Sequence, residues 1–458
     1  MNSLPARWSE APLTELCESI VSGRRPKGGV RGILSGVLSL GGEHIHERGF
    51  VDISVPRFVP RDFADKMSIS RILPNDILIV KDGATTGKTA IADNRFLEEE
   101  AYINEHIFLC RSVNEIISHY LFYFLRSDIG NQAILSDFRG AAQGGISQAF
   151  SEKIEVPIAP LAEQRRIVAK LDTLLARTRQ MREELENIPS LIAQYKRAIL
   201  AAAFRGELTA DWRTKQSKKL TEWKTLPFSK VIDEGPKNGY SPPSSENSSG
   251  PLILRLTATT RGILDLSENA VKRVDTPIPN DSRFWLQPGD VLIQRGNSID
   301  YVGVTAIFDG PENTYIYPDL MMRVRIGNPW RREYIWRYLN SQEARDYLRS
   351  RATGTAGNMP KINSKTLMSL SVPMPPDEEI AVIVLKLRGN FAWLNSTLNE
   401  ATSALRLLNH LEQATLAKAF RGELVPQDIN DESASVLLER IREARAEESN
   451  GGKRKKKG

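Results

Sequence analysis

Two hydrophobic periods alternate along this chain. Over residues 1–158, and again over 223–375, short apolar runs such as "DILIV" from Asp76, "AYINEHIFLC" from Ala101, "DVLIQ" from Asp290 and "TYIYPDLMMRVR" from Thr314 are separated by Gly-, Pro- and Asn-bearing turns. That is a strand-and-turn pattern. Each of these segments also carries one amphipathic helical stretch, "HYLFYFLRS" from His119 and "EYIWRYLNS" from Glu333. Between and after them the period changes to steps of four and three. Apolar residues fall at Ile167, Leu171, Leu174, Met181, Leu185, Ile188, Ile192, Tyr195 and Ile199, with Thr178 the polar member. A second series runs through Ile380, Val384, Leu387, Phe391, Leu394, Leu398, Ala401, Leu405 and Leu408. Such spacing predicts two long helices joined along a coiled-coil seam. Pro189 predicts a kink or restart in the first of them, and Gly206 and Gly422 stand where a C-terminal glycine belongs.

The pattern is written twice. "AFRGEL" occurs at Ala203 and at Ala419, an offset of 216 residues, and the same spacing within a few residues pairs other stretches. Trp8 and Pro12 match Trp223 and Pro227; "RGFVD" from Arg48 matches "RGILD" from Arg261. "LPNDILIV" from Leu73 matches "QPGDVLIQ" from Gln287, and "VPIAPLAEQ" from Val156 matches "VPMPPDEEI" from Val372. Order and spacing repeated over this length identify two copies of one unit. The expected fold is α/β (α+β): two pseudo-repeated globular domains separated by two long helices that form an antiparallel coiled coil. The boundaries read as a first globular domain 1–158, a helical spacer 159–211, a linker 212–222, a second globular domain 223–375, a distal helical spacer 376–430, and a C-terminal helix and basic tail 431–458. Two like heads on an antiparallel pair of helices are related by an approximate twofold axis, the symmetry with which dimeric readers meet DNA half-sites.

Charge changes this picture only locally. The formal net charge is +6, and five of the cations are Lys453, Arg454, Lys455, Lys456 and Lys457. The tail is either a nonspecific phosphate-binding arm or a solubilising end. Residues 1–158 hold 17 Lys and Arg against 20 Asp and Glu, and residues 223–375 hold 19 against 15. A first domain that bound DNA would therefore need a local patch. No apolar run has the length of a membrane span, and "MNSLPARWSEAPL" lacks the features of a signal peptide. The expectation is a cytoplasmic protein. Cys17 and Cys110, without metal-site spacing, fit that compartment as small core residues.

The one stretch that suggests chemistry is "KDGATTGKTAI", Lys81–Ile91. A phosphate-binding loop needs four residues between its first glycine and the Gly-Lys pair. Only three residues separate Gly83 from Gly87, Asp82 occupies the glycine position, and no amphipathic helix follows. Its repeat partner, "QRGNSIDYVGVTAI" from Gln294, has no lysine there. The stretch reads as a polar turn between two strands. Of the five histidines, His44 and His46 alternate so that a strand would put both rings on one side, but nothing at ligand spacing completes a metal site. No catalytic set emerges.

The order of these parts, with "PLAEQRRIVAKLDTLLARTRQ" from Pro160, "AFRGELTADWR" from Ala203 and "AKAFRGEL" from Ala417, resembles the specificity (S) subunit of type I restriction-modification systems. The second copy departs from the pattern, because "MPPDEEIAVIVLKL" lacks the Glu-Gln pair. The resemblance implies that each globular part is a target recognition domain reading one half of an asymmetric bipartite DNA sequence. It implies helices that set the unread spacer and present surfaces to two modification subunits. Those subunits would hold S-adenosylmethionine and methylate adenine N6; restriction subunits using ATP and Mg would add to the complex, and this chain would be noncatalytic. Residue type and loop position nominate DNA contacts. In the first domain they are His44, His46 and Arg48, then Lys81, Thr85, Thr86 and Lys88, then Gln143, Ser147 and Gln148. In the second they are Thr257, Thr259, Thr260 and Arg261, then Arg295, Asn297 and Ser298, then Asn358, Lys361 and Asn363. The competing readings are a coiled-coil scaffold without DNA specificity and a nucleotide-hydrolysing enzyme built on the Gly-Lys-Thr.

Overall fold

The computed structural model describes residues 4–140, 144–244, 250–354 and 359–455, the last eight of these by backbone alone. Contacts divide the chain into two units, residues 1–185 with 403–458, and residues 186–402. Each unit thus owns one globular domain, part of the long helix Leu161–Phe204 and part of the long helix Asp377–Phe420.

The strands of the first unit are β1 (Ser9–Pro12), β2 (Cys17–Ser22), β3 (Val37–Leu40), β4 (Phe58–Val59), β5 (Ile77–Val80), β6 (Thr89–Ile91), β7 (Ala101–Ile103), β8 (Ile107–Ser112) and β9 (Glu155–Ile158). Those of the second are β10 (Lys224–Pro227), β11 (Glu234–Asn238), β12 (Leu252–Leu254), β13 (Val271–Arg273), β14 (Val291–Gln294), β15 (Thr305–Ile307), β16 (Tyr315–Ile316), β17 (Met321–Arg325) and β18 (Ser371–Met374). In the first unit the sheets run β2-β8-β5-β6, β4-β3-β7 and β1-β9; in the second they run β11-β17-β14-β15, β13-β12-β16 and β10-β18. Among the described residues every strand has its counterpart nine places on, with the same neighbours. Even the parallel pairs correspond, β3 with β7 and β12 with β16.

The run "DILIV" is apolar throughout because its strand is covered on both sides. Ile77 and Ile79 face the core under the helices with Phe108, while Leu78 and Val80 face a second core with Leu40, Ile103 and Leu109. In β14, Val291 and Ile293 alternate in the same way with Leu292.

Each domain grips the start of the helix that follows it and the end of the other. In the first unit the indole of Trp8 donates to Glu163 Oε2 at 3.0 Å, and Phe420 lies edge-on to Tyr120 and Phe124 at 5.2 and 5.3 Å. In the second the indole of Trp223 donates to Glu379 Oε2 at 2.8 Å, and Phe204 lies edge-on to Tyr334 and Tyr338 at 5.3 and 5.1 Å. This explains the repeated hexapeptide. Its Phe docks, its Gly stops the helix with φ +78° at Gly206 and +72° at Gly422, and its Arg and Glu form a surface pair that adds little. It also corrects one expectation. The second copy lacks only the glutamine: Glu379 does for Trp223 what Glu163 does for Trp8, and buried Ile380 stands where Gln164 does.

Inside each unit the helices run antiparallel. Arg166 pairs with Asp431 at 2.6 Å and Arg182 with Glu412 at 3.4 Å in the first; Lys196 Nζ donates to Asn395 at 2.9 Å and Thr209 Oγ1 to Glu379 at 2.6 Å in the second. The second seam follows its predicted positions, all buried or half-buried. The first departs from them. Leu175 and Arg182 take the buried places expected for Leu174 and Met181, and Tyr195 is exposed. Leu175 packs with Ile167 and Leu171 in the core of the first unit, and Arg182 is drawn inward by its ion pair with Glu412. Thr178 stays buried because its hydroxyl donates to Leu175 O and to Glu412 Oε1. Pro189 does not restart the helix. The helix is continuous through it, and packing of Ile188 and Ile192 with Leu394 and Leu398 offsets the lost hydrogen bond.

The two helix-start carboxylates differ in support. Glu379 Oε1 accepts from Thr209 and from the Arg213 guanidinium, while Glu163 Oε1 has no hydrogen-bond partner. Burial raises the Glu163 carboxyl above its usual range, against the Trp8 hydrogen bond that lowers it. Its folded pKa lies above the unfolded one, so stability is lost as pH rises through it. Glu379→Gln is therefore expected to cost about 3–5 kcal/mol in the second unit by stranding Arg213. Glu163→Gln should cost at least about 2 kcal/mol less and flatten the decline of stability above the ordinary carboxylate pKa. Hydrogen exchange of peptides from each unit across pH measures both.

Candidate nucleic-acid interface

In the first unit three loops meet at the C-terminal end of β5. The turn joining β5 to β6 is the "KDGATTGK" stretch, and it bonds to two neighbours: Lys81 N donates to His106 O at 2.8 Å, and Ile146 N to Lys81 O at 2.8 Å. Asp82 bridges Gly145, which in turn bridges Arg139. The His106 ring clamps this corner, with Nδ1 2.6 Å from Asp82 Oδ1. Asp137, itself buried, accepts from Lys153 and from both the backbone N–H and the hydroxyl of Ser147. The Lys153 ammonium, then Ser147, hold its carboxyl well below the usual carboxylate range. The second unit repeats the corner with its chemistry exchanged: Lys361 bridges Gly296 and Thr353. Glycine has moved to the other partner, which keeps room at the crossing, where a Cβ on Gly145 would lie 2.8 Å from Asp82.

The nominated residues fall into separate groups. Lys81, Thr85, Thr86, Ser147 and Gln148 lie at this corner of the first unit, with Lys81 Nζ 5.4 Å from the centre of the Phe108 ring. Ser147 is engaged with Asp137, and Gln148 Nε2 donates to Ile20 O at 2.8 Å. Arg48 and Lys88 lie together elsewhere, lining a cavity beside the long helices. His44 and His46 do not share one side of a strand. His44 ends a 3-10 turn, is buried, and has both nitrogens occupied: Nδ1 accepts from Gly41 N, and Nε2 meets Val55 O. As it stands it has no edge left for a base. His46 stacks on Phe50 at 4.3 Å and accepts from Arg48 N.

In the second unit Thr257, Arg261, Ser298 and Lys361 are exposed, and Thr260 and Arg295 half-buried. Thr259 is buried and accepts from Gln294 Nε2 at 2.9 Å, while Asn297 Nδ2 donates to Gln294 Oε1 at 2.6 Å. These two act as loop framework around a buried glutamine. Asn363 caps the helix Ser364–Met368 by accepting from Thr366 N at 2.8 Å. Gln143 and Asn358 lie outside the described residues. Among the described residues no group of three or more His, Cys, Asp or Glu is placed to hold a metal.

Sequence reasoning missed the loop after β2. "GRRPKGGVRG", from Gly23, sets Arg24, Arg25, Lys27 and Arg31 within eight residues. With Arg57, Asn104 and His106 it lines a cleft of about 750 Å3 beside the β5 corner. Gly28 and Gly29 take φ of +91° and +79°, and a Cβ on either would meet nothing within 4 Å. The backbone there is open to close approach by a partner. Arg25 is held by a close ion pair, to Glu105 at 2.8 Å. The signal was available as a local basic run despite the domain's negative sum. The matching loop after β11 has a different character, with Tyr240 stacked on Phe284 at 5.3 Å and Ser241 donating to Asp319.

Comparison with known proteins agrees with this architecture. The family model described as Type I restriction modification DNA specificity domain matches residues 65–189. The type I restriction enzyme EcoKI specificity subunit of Escherichia coli (strain K12) is 31% identical over 418 residues, covering 89% of this chain and 88% of the relative. The StySPI specificity subunit of Salmonella potsdam is 29% identical with the same coverage. Among solved structures, a chain from a type I R-M system aligns over 93% of this chain and 100% of its own length, at 21% identity with a TM-score of 0.68. The HsdS subunit from Thermoanaerobacter tengcongensis aligns over 92% and 98%, at 22% identity with a TM-score of 0.55. These two show the shared fold. Duplicated strand order, docked helices and near-full-length similarity lead to one conclusion: the chain belongs to the specificity subunits of type I restriction enzymes.

Proposed function

We propose that the chain reads an asymmetric, two-part DNA sequence, one part with each globular domain, and positions modification subunits that methylate adenine N6. The observation that carries this reading is the contrast between frame and loops. The strand order, the Trp–Glu bonds and the docked phenylalanines are the same in both units. The loops on that frame differ in chemistry, basic and glycine-rich after β2, aromatic and polar after β11. One scaffold with two unlike reading surfaces suits two unlike half-sites. S-adenosylmethionine would reside in the modification subunits, and ATP and Mg in restriction subunits where these are present. The Gly-Lys-Thr favours no nucleotide chemistry here, since its loop joins two antiparallel strands and opens no helix.

The helices offer a surface for the modification subunits. In the second unit Leu191, Tyr195 and Trp393 are 51%, 51% and 59% exposed, and they border an apolar groove of about 450 Å3 with Ile188 and Leu394. Contiguous apolar surface of this kind on a charged helix pair marks a protein contact.

Exchanging residues 223–375 for the equivalent domain of another specificity subunit is expected to change one half of the methylated motif and leave the other intact, read by sequencing N6-methyladenine. A change in both halves would refute independent reading. Trp393→Arg is expected to weaken modification-subunit assembly by about 2 kcal/mol or more, some thirtyfold, measured by sedimentation of the mixed subunits.

A further inference from the structure

Lys88, left over from the rejected nucleotide loop, ends in a polar cavity of about 310 Å3 that is separate from the cleft beside His106. The cavity lies wholly within the first unit. It is lined by Arg48 and Lys88 from the domain, by Arg126 from the helix Ser118–Arg126, and by Arg182 and Glu412 from the long helices. Glu412 is shared, 3.9 Å from Arg126 and 3.4 Å from Arg182, and it also accepts from Thr178. Both arginine side chains are largely buried, at 17% and 11% exposure. Burial lowers the pKa of Arg126, Glu412 opposes that, and the nearby Arg179 and Arg182 add to the lowering. Lys88 has no carboxylate partner among the described residues. Leaving Arg48 aside, Lys88, Arg126 and Arg182 face Glu47 and Glu412, with Asn131, Asn409 and Gln413 supplying amide donors. A cation excess in a partly desolvated pocket is satisfied by an incoming anion.

The second unit differs at these positions. Val304 replaces Lys88 and Asn340 replaces Arg126. Arg345, at the position of Asn131, donates to Val302 O and Asp300 O, so its charge is engaged with backbone of its own unit.

We propose that the cavity seats one backbone phosphate of the DNA read by the first domain, with Lys88 and Arg182 on its oxygens and Glu412 holding Arg126 and Arg182 in place. The lining has no aromatic face for a nucleotide base. Lys88 leaves the same hairpin whose turn carries Lys81, Thr85 and Thr86, so a duplex seated on that turn carries its backbone past the cavity. This inference rests on the DNA-reading function proposed above, and it makes the grip on DNA unequal between the halves.

The test uses the complete complex with its modification subunits. Specific DNA affinity is measured between 50 and 200 mM salt for the unaltered chain, Lys88→Gln and Lys88→Arg, on duplexes bearing single methylphosphonates around the first half-site. Lys88→Gln is expected to reduce the slope of log affinity against log salt by about 0.9 and the affinity by about tenfold, while Lys88→Arg keeps both. One methylphosphonate position should weaken the unaltered complex and leave Lys88→Gln nearly unaffected. An unchanged slope in Lys88→Gln, with specific binding intact in the unaltered complex, overturns the phosphate seat and leaves the reading function standing. Absence of specific binding by the unaltered complex removes the reading function itself. Loss of modification-subunit assembly alone, or Lys88-dependent binding of ATP or inorganic phosphate without DNA, would assign the cavity to another occupant and overturn the proposal.

Discussion

Everything in this molecule depends on how a domain holds two helix ends at once. Each domain ties the first turn of one long helix through a Trp–Glu hydrogen bond and clamps the last residue of the other between aromatic side chains of its own helix. Aromatic edge contacts of this kind add about 0.5–1.5 kcal/mol each beyond the area they bury. Their larger effect is geometric. An indole, a buried carboxylate and a docked Phe fix where each helix begins and ends on its domain, and the reading loops project from strands of that same domain.

The duplicated frame then leaves the loops free to differ. Val80 of β5 becomes buried Gln294 in β14, whose amide organises Thr259 and Asn297. Glycine changes sides at the loop crossing, from Gly145 to Gly296. Asn131, which lines the cationic cavity of one unit, is replaced in the other by Arg345, bonded to backbone carbonyls. Each exchange changes what the surface offers to a partner. Differences of this sort alter recognition without disturbing the pairing of the strands beneath.

Much of this was legible in the sequence because it is carried by local pattern. The repeat, the strand runs, the second helix seam and the two glycine stops were all readable from spacing. The parts that were not readable depend on three-dimensional neighbours. The first seam passes from Leu174 to Leu175 and from Met181 to Arg182 because the core of the first unit and Glu412, neighbours met only in the fold, draw those side chains in. His44 looked like a loop residue, yet a short 3-10 turn folds it into the core. Arg126, Arg182 and Glu412 lie far apart in the chain, so no window of sequence could join them to Lys88. The basic loop from Arg24 to Arg31 was legible and was masked by summing charge over a whole domain.

The central claim is that one chain carries two equivalent frames reading two different half-sites. Long-read sequencing of DNA methylated by this chain together with its modification subunits tests it most directly. The account predicts N6-methyladenine in a single asymmetric motif of two unlike parts separated by a fixed number of unread bases. A palindromic motif, a motif in one contiguous block, or sequence-independent methylation would contradict it.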